Sequence, residues 1–175
     1  VVSNLFGTPE RVARVLSRPP AELGGELASL AGDLLPPTFP AMWKNRKRLL
    51  GLLTARMRNV RSGPVLEETY EPPRLTRLPC LTCWPLDGGP FFTLPLVHTV
   101  DPKTGRGNLG IYRLQRYDDA STGMHWQIEK GGGFHFSEAC RMGQALPVSV
   151  FLGGPPALTL AAIAPLPEGI DERLL

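Results

Sequence analysis

The stretch GRGNLGIYRLQ, Gly105–Gln115, governs how the rest of the chain is read. Leu109, Ile111 and Leu114 give it the apolar side chains of a strand, yet Asn108 stands at its entrance and Arg113 and Gln115 near its end. Polar groups of that kind are costly to bury without partners. Either the strand has one wet face, or those groups are aimed at something bound. Asp101-Pro102-Lys103-Thr104-Gly105, just upstream, is a strong turn signal. Outward from here, Pro, Gly, Asp and Thr separate short runs rich in Val, Phe, Tyr and Leu, which predicts strands near 65–70, 76–83, 91–100, 108–117, 123–130 and 146–152. Asp87-Gly88-Gly89-Pro90 marks another turn, and Gly131-Gly132-Gly133 breaks the fifth strand. The segment VSVFLGGPPALTLAAIAPLP (148–167) reads as a buried strand, a Gly-Gly turn, and a helix opened by Pro155-Pro156 and closed by Pro165.

The chain before residue 63 has another texture and reads as helical. Thr8 is a good N-cap, Pro9 suits the first helical position, and Glu10 favours the positive end of the helix dipole. Val12, Val15 and Leu16 form an apolar stripe that stops before Pro19-Pro20. A second helix is predicted over 22–35. A third is predicted over 41–59, with Leu49, Leu50, Leu52, Leu53 and Met57 as its apolar face. The organisation expected is thus a helical part, 1–62, and a β-rich part, 63–175.

Composition narrows the class. An apolar fraction of 42% and a charged fraction of 20% over 175 residues describe an ordinary globular chain, and a net charge of +3 does not argue for nucleic acid. Three cysteines are too few for a disulfide scaffold, which favours a reducing, cytoplasmic setting. No apolar run approaches the length of a membrane span, and no signal peptide is visible. The chain opens on Val1-Val2 rather than Met, so a fragment is expected.

Of the candidate chemistry, Cys80-Leu-Thr-Cys83 has CxxC spacing, but Cys140 is the one remaining cysteine and no His pair follows at ligand spacing. Buried strand cysteines are the better reading. Lys44-Asn-Arg-Lys-Arg48, with Arg56 and Arg58, is best taken as the solvated face of a helix. Gly153-Gly154 before a helix could cradle a phosphate, although a tight turn explains it more simply. GRGNLGIYRLQ together with TGMHWQIEKGGGFH (122–135) carries more. Asn108 offers a hard oxygen suited to Mg²⁺ or Mn²⁺, followed by the apolar Ile111, the Tyr112 ring and the fixed charge of Arg113. His125, Trp126 and Gln127 precede Glu129, Lys130 and glycines that let a ligand approach the backbone closely. A flat, anionic, phosphate-bearing cofactor would be well served here, and so would a half-wet hairpin with Trp126 in its core. Residue types alone leave both open.

The blocks LTCWPLDGGPFFTLPLVHTVDPKTGRGNLGIYRLQ, TGMHWQ and PVSVFLGGPPALTLAAIAPLPEGI, in that order, resemble the UbiD family of carboxy-lyases, as does SNLFGTPERVARVL near the start. The resemblance runs over most of the chain and is weakest over residues 19–62. It implies an α+β chain in which a split β-barrel, flavin-reductase-like and FMN-binding, is preceded by a mainly helical remnant of an α/β domain. It further implies reversible, non-oxidative decarboxylation of an aromatic or α,β-unsaturated acid with prenylated FMN, Mn²⁺ (or Mg²⁺) and often K⁺. A quinone-precursor acid (polyprenyl-hydroxybenzoate or a naphthoate), a prenyltransferase that supplies the cofactor, and homo-oligomerisation of the intact protein follow from the same resemblance.

Residue by residue, Asn108 matches the family's metal-binding Asn. Ile111, Tyr112 and Arg113 match one cofactor-contacting stretch, His125, Trp126 and Gln127 a second, and Lys130 with Gly131 a third. Arg113 also matches the Arg that, paired with a catalytic Glu, holds the reacting carboxylate in the ferulic-acid decarboxylase branch. Some branches have a metal-binding His where this chain has Lys130 after Glu129. The family's metal-binding Glu and catalytic acid are expected beyond Leu175, so the fragment alone is expected to be inactive. A non-catalytic FMN-binding module, or a truncated product serving as an interaction surface, are the competing readings.

Overall fold

A computed structural model of the chain describes residues 4–34, 38–47, 49–50, 60–127 and 129–163. It divides into two compact units, 1–58 and 59–173. In the first, α1 (Pro9–Leu16) starts as its sequence dictates: Thr8 is extended, and its hydroxyl accepts from the Arg11 backbone N–H at 3.3 Å. The helix stops at Ser17, whose left-handed backbone (φ 56°) turns its N–H back to the Ala13 carbonyl. α2 (Pro20–Leu34) begins slightly earlier than predicted. α3 (Phe39–Lys44) is capped by Thr38 and is interrupted at Asn45, whose buried amide donates to Ala41 O at 3.0 Å and to Asp33 Oδ2 at 3.1 Å. An Asn side chain competes with the helical ladder in this way, so a continuous helix from 41 does not form. The rest of the predicted face, Leu52, Leu53 and Met57, lies outside the described residues.

The second unit holds two three-stranded antiparallel sheets. One has the order β1–β4–β5, from β1 (Phe91–Phe92), β4 (Leu114–Arg116) and β5 (Thr122–Met124). The other has the order β3–β2–β6, from β2 (Leu96–Val100), β3 (Gly107–Ile111) and β6 (Val148–Phe151). The α+β class therefore holds, with small sheets and no closed barrel among the described residues. Two predicted strands are each cut in half. The run 91–100 breaks at Thr93-Leu94-Pro95, where Pro95 has no N–H to give a ladder. The run 108–117 breaks at Tyr112-Arg113. At both breaks the chain passes from one sheet to the other.

Other predictions are corrected. Neither 65–70 nor 76–83 is a strand: 3₁₀ turns form at Pro64–Leu66 and Leu75–Arg77, followed by a single bridge from Leu81 to Phe91. Pro79 withholds a donor inside the second run, and prolines 64, 72, 73 and 85 bound the two runs closely. Cys83 is accordingly exposed and Cys80 only half-buried, rather than both lying in a buried strand. β6 is exposed along its length instead of buried. The fifth strand ends at Met124, and the glycines predicted only to break it open a helix, α4 (Gly131–Arg141). The Gly153-Gly154 turn, with φ 86° and 103°, leads as expected into α5 (Pro156–Ala161).

The 101–105 turn also forms: the Asp101 carboxylate accepts from Lys103 N at 2.8 Å and Thr104 Oγ1 at 2.6 Å, and Gly105 takes φ 72°. Phe92, Val97, Tyr112 and Leu114 make the buried core, with Cys80, Met124 and Trp126 packed on it.

A second tie fixes the Leu75–Arg77 turn against the loop between β4 and β5. Asp119 O accepts from Leu75 N at 3.1 Å, and its carboxylate accepts from Thr76 N at 2.7 Å and from the Thr76 hydroxyl. The Thr76 hydroxyl first, then the Thr76 N–H, hold the Asp119 carboxyl below the usual aspartate range. A lowered pKa stabilises above the unfolded value and is lost as pH falls through the folded one. The gap in Tm between wild type and Asp119→Ala should thus be full above the ordinary aspartate range and narrow as the pH falls below that range, as followed by thermal unfolding from neutral to acid pH.

Candidate functional site

Side chains two apart on a strand share a face, and on β3 and its exit that face carries Asn108, Gly110 and Tyr112. The first turn of α4 lies against it. A Cβ at Gly131 would overlap the Asn108 Oδ1, and one at Gly132 would come within 2.6 Å of Trp126 and 2.8 Å of the Tyr112 hydroxyl. Glycine is therefore required here by close approach, not by backbone angle. The buried Tyr112 hydroxyl accepts the Gly132 N–H at 2.9 Å, which satisfies one of the N–H groups that a helix start leaves without an internal partner. Lys130, the residue before the helix, supplies no side-chain cap. The Tyr112 ring meets Trp126 at 5.0 Å and 59°, and Trp126 stacks on Phe136 of α4 at 5.8 Å.

A second contact lies next to the first. Thr99 pairs with Asn108 across β2 and β3, and its hydroxyl is 2.9 Å from His135 Nδ1 on α4. Asp101, at the end of the same strand, has its carboxyl held low chiefly by the Thr104 hydroxyl, with His135 a smaller influence. Sequence reasoning misses Thr99 and His135 because Gly131-Gly132-Gly133 reads as a break. A helix drawn from Gly131 would have put His135 one turn in.

The structure thus brings Asn108, Tyr112, Trp126 and Gly131 together, with Ile111 half-buried where β3 pairs with Leu96. His125, Gln127 and Lys130 are exposed on the segment leading to α4. Arg113 is exposed and lies elsewhere, its guanidinium carbon 3.9 Å from the centre of the Phe91 ring. Of the basic run, Lys44 pairs with Asp33 at 3.1 Å and Arg46 stacks over Trp43 at 4.9 Å.

A helix start lined by glycine favours an anion through its N–H groups and dipole. The buried Asn108 amide beside it supplies a hard oxygen, so the residues present fit a phosphate-bearing cofactor with an associated cation in part. Among the described residues no cluster of three or more His, Cys, Asp or Glu could hold a metal alone. Nor is any helix among them long and apolar enough to cross a membrane.

Comparison with known proteins bears on this arrangement. Residues 57–175 match the family model described as the UbiD 3-octaprenyl-4-hydroxybenzoate carboxy-lyase Rift-related domain. A protein of Chlamydia trachomatis is 48% identical over 99% of the chain, which covers 30% of that protein. A Chlamydia pneumoniae protein named as one of the subunits of 4-hydroxybenzoate decarboxylase is 47% identical over 99% of the chain, again 30% of its own length. The chain thus spans about a third of the length of the curated relatives it matches. Among solved structures, an evolved dimeric form of the UbiD-class enzyme HmfF from Pelotomaculum thermopropionicum, in complex with prFMN, superposes with a TM-score of 0.74 at 28% identity. That match covers 98% of this chain and 38% of the other.

The crowding at Gly131 gives a direct test. Gly131→Ala should destabilise the protein by about 2 kcal/mol or more, since either the helix or the Asn108 amide must move. Gly24→Ala, where an added methyl meets nothing within 4 Å on α2, should instead be neutral or stabilising by up to about 1 kcal/mol. Urea unfolding of both variants checks the contrast.

Proposed function

The chain belongs to the UbiD family of carboxy-lyases, and on that premise we propose that the protein, at the length of its relatives, is a non-oxidative decarboxylase of an aromatic or α,β-unsaturated carboxylic acid. The observation that carries the proposal is the meeting of Asn108, Tyr112 and Gly131 at the start of α4, which sets a hard amide oxygen beside a glycine-lined helix start of the kind that favours an anion. Prenylated FMN, when bound, supplies an electron sink for the charge left as CO₂ departs.

The protein's own residues have the following roles in this reading. The Asn108 oxygen would be a ligand for Mn²⁺ or Mg²⁺, with K⁺ as a further ion of the site. The Gly131 amide takes the phosphate, and Tyr112 and Trp126 fix the helix that presents it. Ile111, His125, Gln127 and Lys130 contact the cofactor from the strand and the exposed segment. Arg113 holds the substrate carboxylate: its guanidinium is a permanent cation with a planar fork matched to two carboxylate oxygens. A quinone-precursor acid of the hydroxybenzoate or naphthoate type is the substrate class, in keeping with the name of the chlamydial relative. Residues 63–175 then form the cofactor-binding part, a split barrel completed in the full-length protein. The remaining assignments are a homo-oligomer in the cytoplasm, a prenyltransferase that supplies the cofactor, and no activity from residues 1–175 alone.

Producing the full-length protein together with a flavin prenyltransferase tests this. The expected result is bound prenylated FMN and CO₂ release from 4-hydroxybenzoate or a related acid. Arg113→Ala, measured per bound cofactor, should lose about 100-fold or more in rate, the scale seen when one charge-stabilising group is removed. Full activity in that variant would overturn the role of Arg113. Retention of ordinary FMN with no CO₂ released would point to a flavin-binding module without catalysis.

A further inference from the structure

We propose that Phe91 is a positioning residue for Arg113, orienting its guanidinium for the substrate carboxylate through the face of its ring; this rests on the carboxylate-holding role given to Arg113 above. Arg113 sits in the break between β3 and β4, and its Cζ is 3.9 Å from the Phe91 ring centre, well inside the range of a cation–π contact. An exposed arginine on an irregular segment would otherwise sample many rotamers.

The platform under it is held from both sides. Phe91 N donates to Leu81 O at 2.8 Å, and Phe91 O accepts from Leu81 N at 3.0 Å. Across the other edge Phe91 pairs with Gln115 in β4, and Arg116 N donates to Pro90 O at 2.9 Å. Gln115 Nε2 closes the turn before the strand by donating to Gly88 O at 2.6 Å. Arg113 is anchored at its own end by Tyr112, which the Gly132 N–H and Trp126 lock in place. Backbone and ring thus limit the guanidinium from both directions.

The choice of a ring has a chemical consequence. A ring offers the cation no hydrogen-bond acceptor, so the guanidinium N–H groups stay available to a bidentate carboxylate. Orientation is gained and the charge is not neutralised.

The test varies the ring's electron density at constant shape. Phe91 is replaced in the full-length holoenzyme, loaded with prenylated FMN, by 4-fluoro-, 3,5-difluoro- and 3,4,5-trifluorophenylalanine, and KM and Kd for 4-hydroxybenzoate are measured. Both should rise stepwise with fluorine number, by roughly 3- to 30-fold across the series, while flavin absorbance stays unchanged. Phe91→Leu should fall at the weak end of the series and Phe91→Tyr near wild type. A flat fluorine series beside an inactive Arg113→Ala variant overturns the role of Phe91 and leaves that of Arg113 standing. A fully active Arg113→Ala variant, or wild type that does not bind 4-hydroxybenzoate, overturns the underlying reading and the role of Phe91 with it.

Discussion

The hydrogen bond from the Gly132 N–H to the Tyr112 hydroxyl is the constraint on which the second unit turns. It is buried, and it joins the end of β3 to the start of α4 across 20 residues of sequence. A neutral hydrogen bond of this kind contributes only about 1 kcal/mol net, but a buried N–H left without it costs about 1–3 kcal/mol. The helix has little else to start it. Glycine is the weakest ordinary helix former apart from proline, by about 1 kcal/mol per residue against alanine, and α4 opens on a run of it. Tertiary contacts, namely the tyrosine cap and the Trp126–Phe136 stack, therefore hold a helix that local propensity disfavours.

That same run lets the helix come close. With no Cβ at 131 and 132, the backbone reaches Asn108 and Tyr112 directly, and the amide of 108 is enclosed. The two sheets are linked by the same chain segments. Both long apolar segments turn corners between the sheets, at 93–95 and at 112–113, and at the second corner Tyr112 serves the core of Phe92, Val97 and Leu114 with its ring and α4 with its hydroxyl. One residue thus couples the packing of the unit to the geometry of the candidate site.

Much of this is legible from local chemistry. Thr8-Pro9-Glu10 specifies the start of α1, Asp101 to Gly105 specifies a turn, and Gly153-Gly154 specifies the entry to α5. Each depends on a side chain bonding its own neighbourhood, which a sequence displays. Sequence reasoning fails where distant partners decide. Gly131-Gly132-Gly133 reads as a break because its cap, Tyr112, is far away along the chain. Apolar alternation over 91–100 and 108–117 does not reveal that each run is shared between two sheets. Asn45 interrupts a helix because Asp33 is there to receive its amide. The candidate site is partly visible for the same reason: Asn108 stands out as a polar residue in an apolar strand, whereas Thr99 and His135 acquire meaning only once α4 lies over β2.

The corner at 112–113 also explains how one short segment carries two polar residues to different ends. In an unbroken strand, positions 108 and 113 would point to opposite faces, since five is an odd step. The break instead hands Arg113 to the β1–β4–β5 sheet, over Phe91, while Asn108 stays under α4 with the β3–β2–β6 sheet. A compact ion could engage one of these residues but has no reason to need both. The expectation that both residues face one bound ligand therefore finds no shared surface here: Asn108 is enclosed against Gly131, and Arg113 is exposed over Phe91.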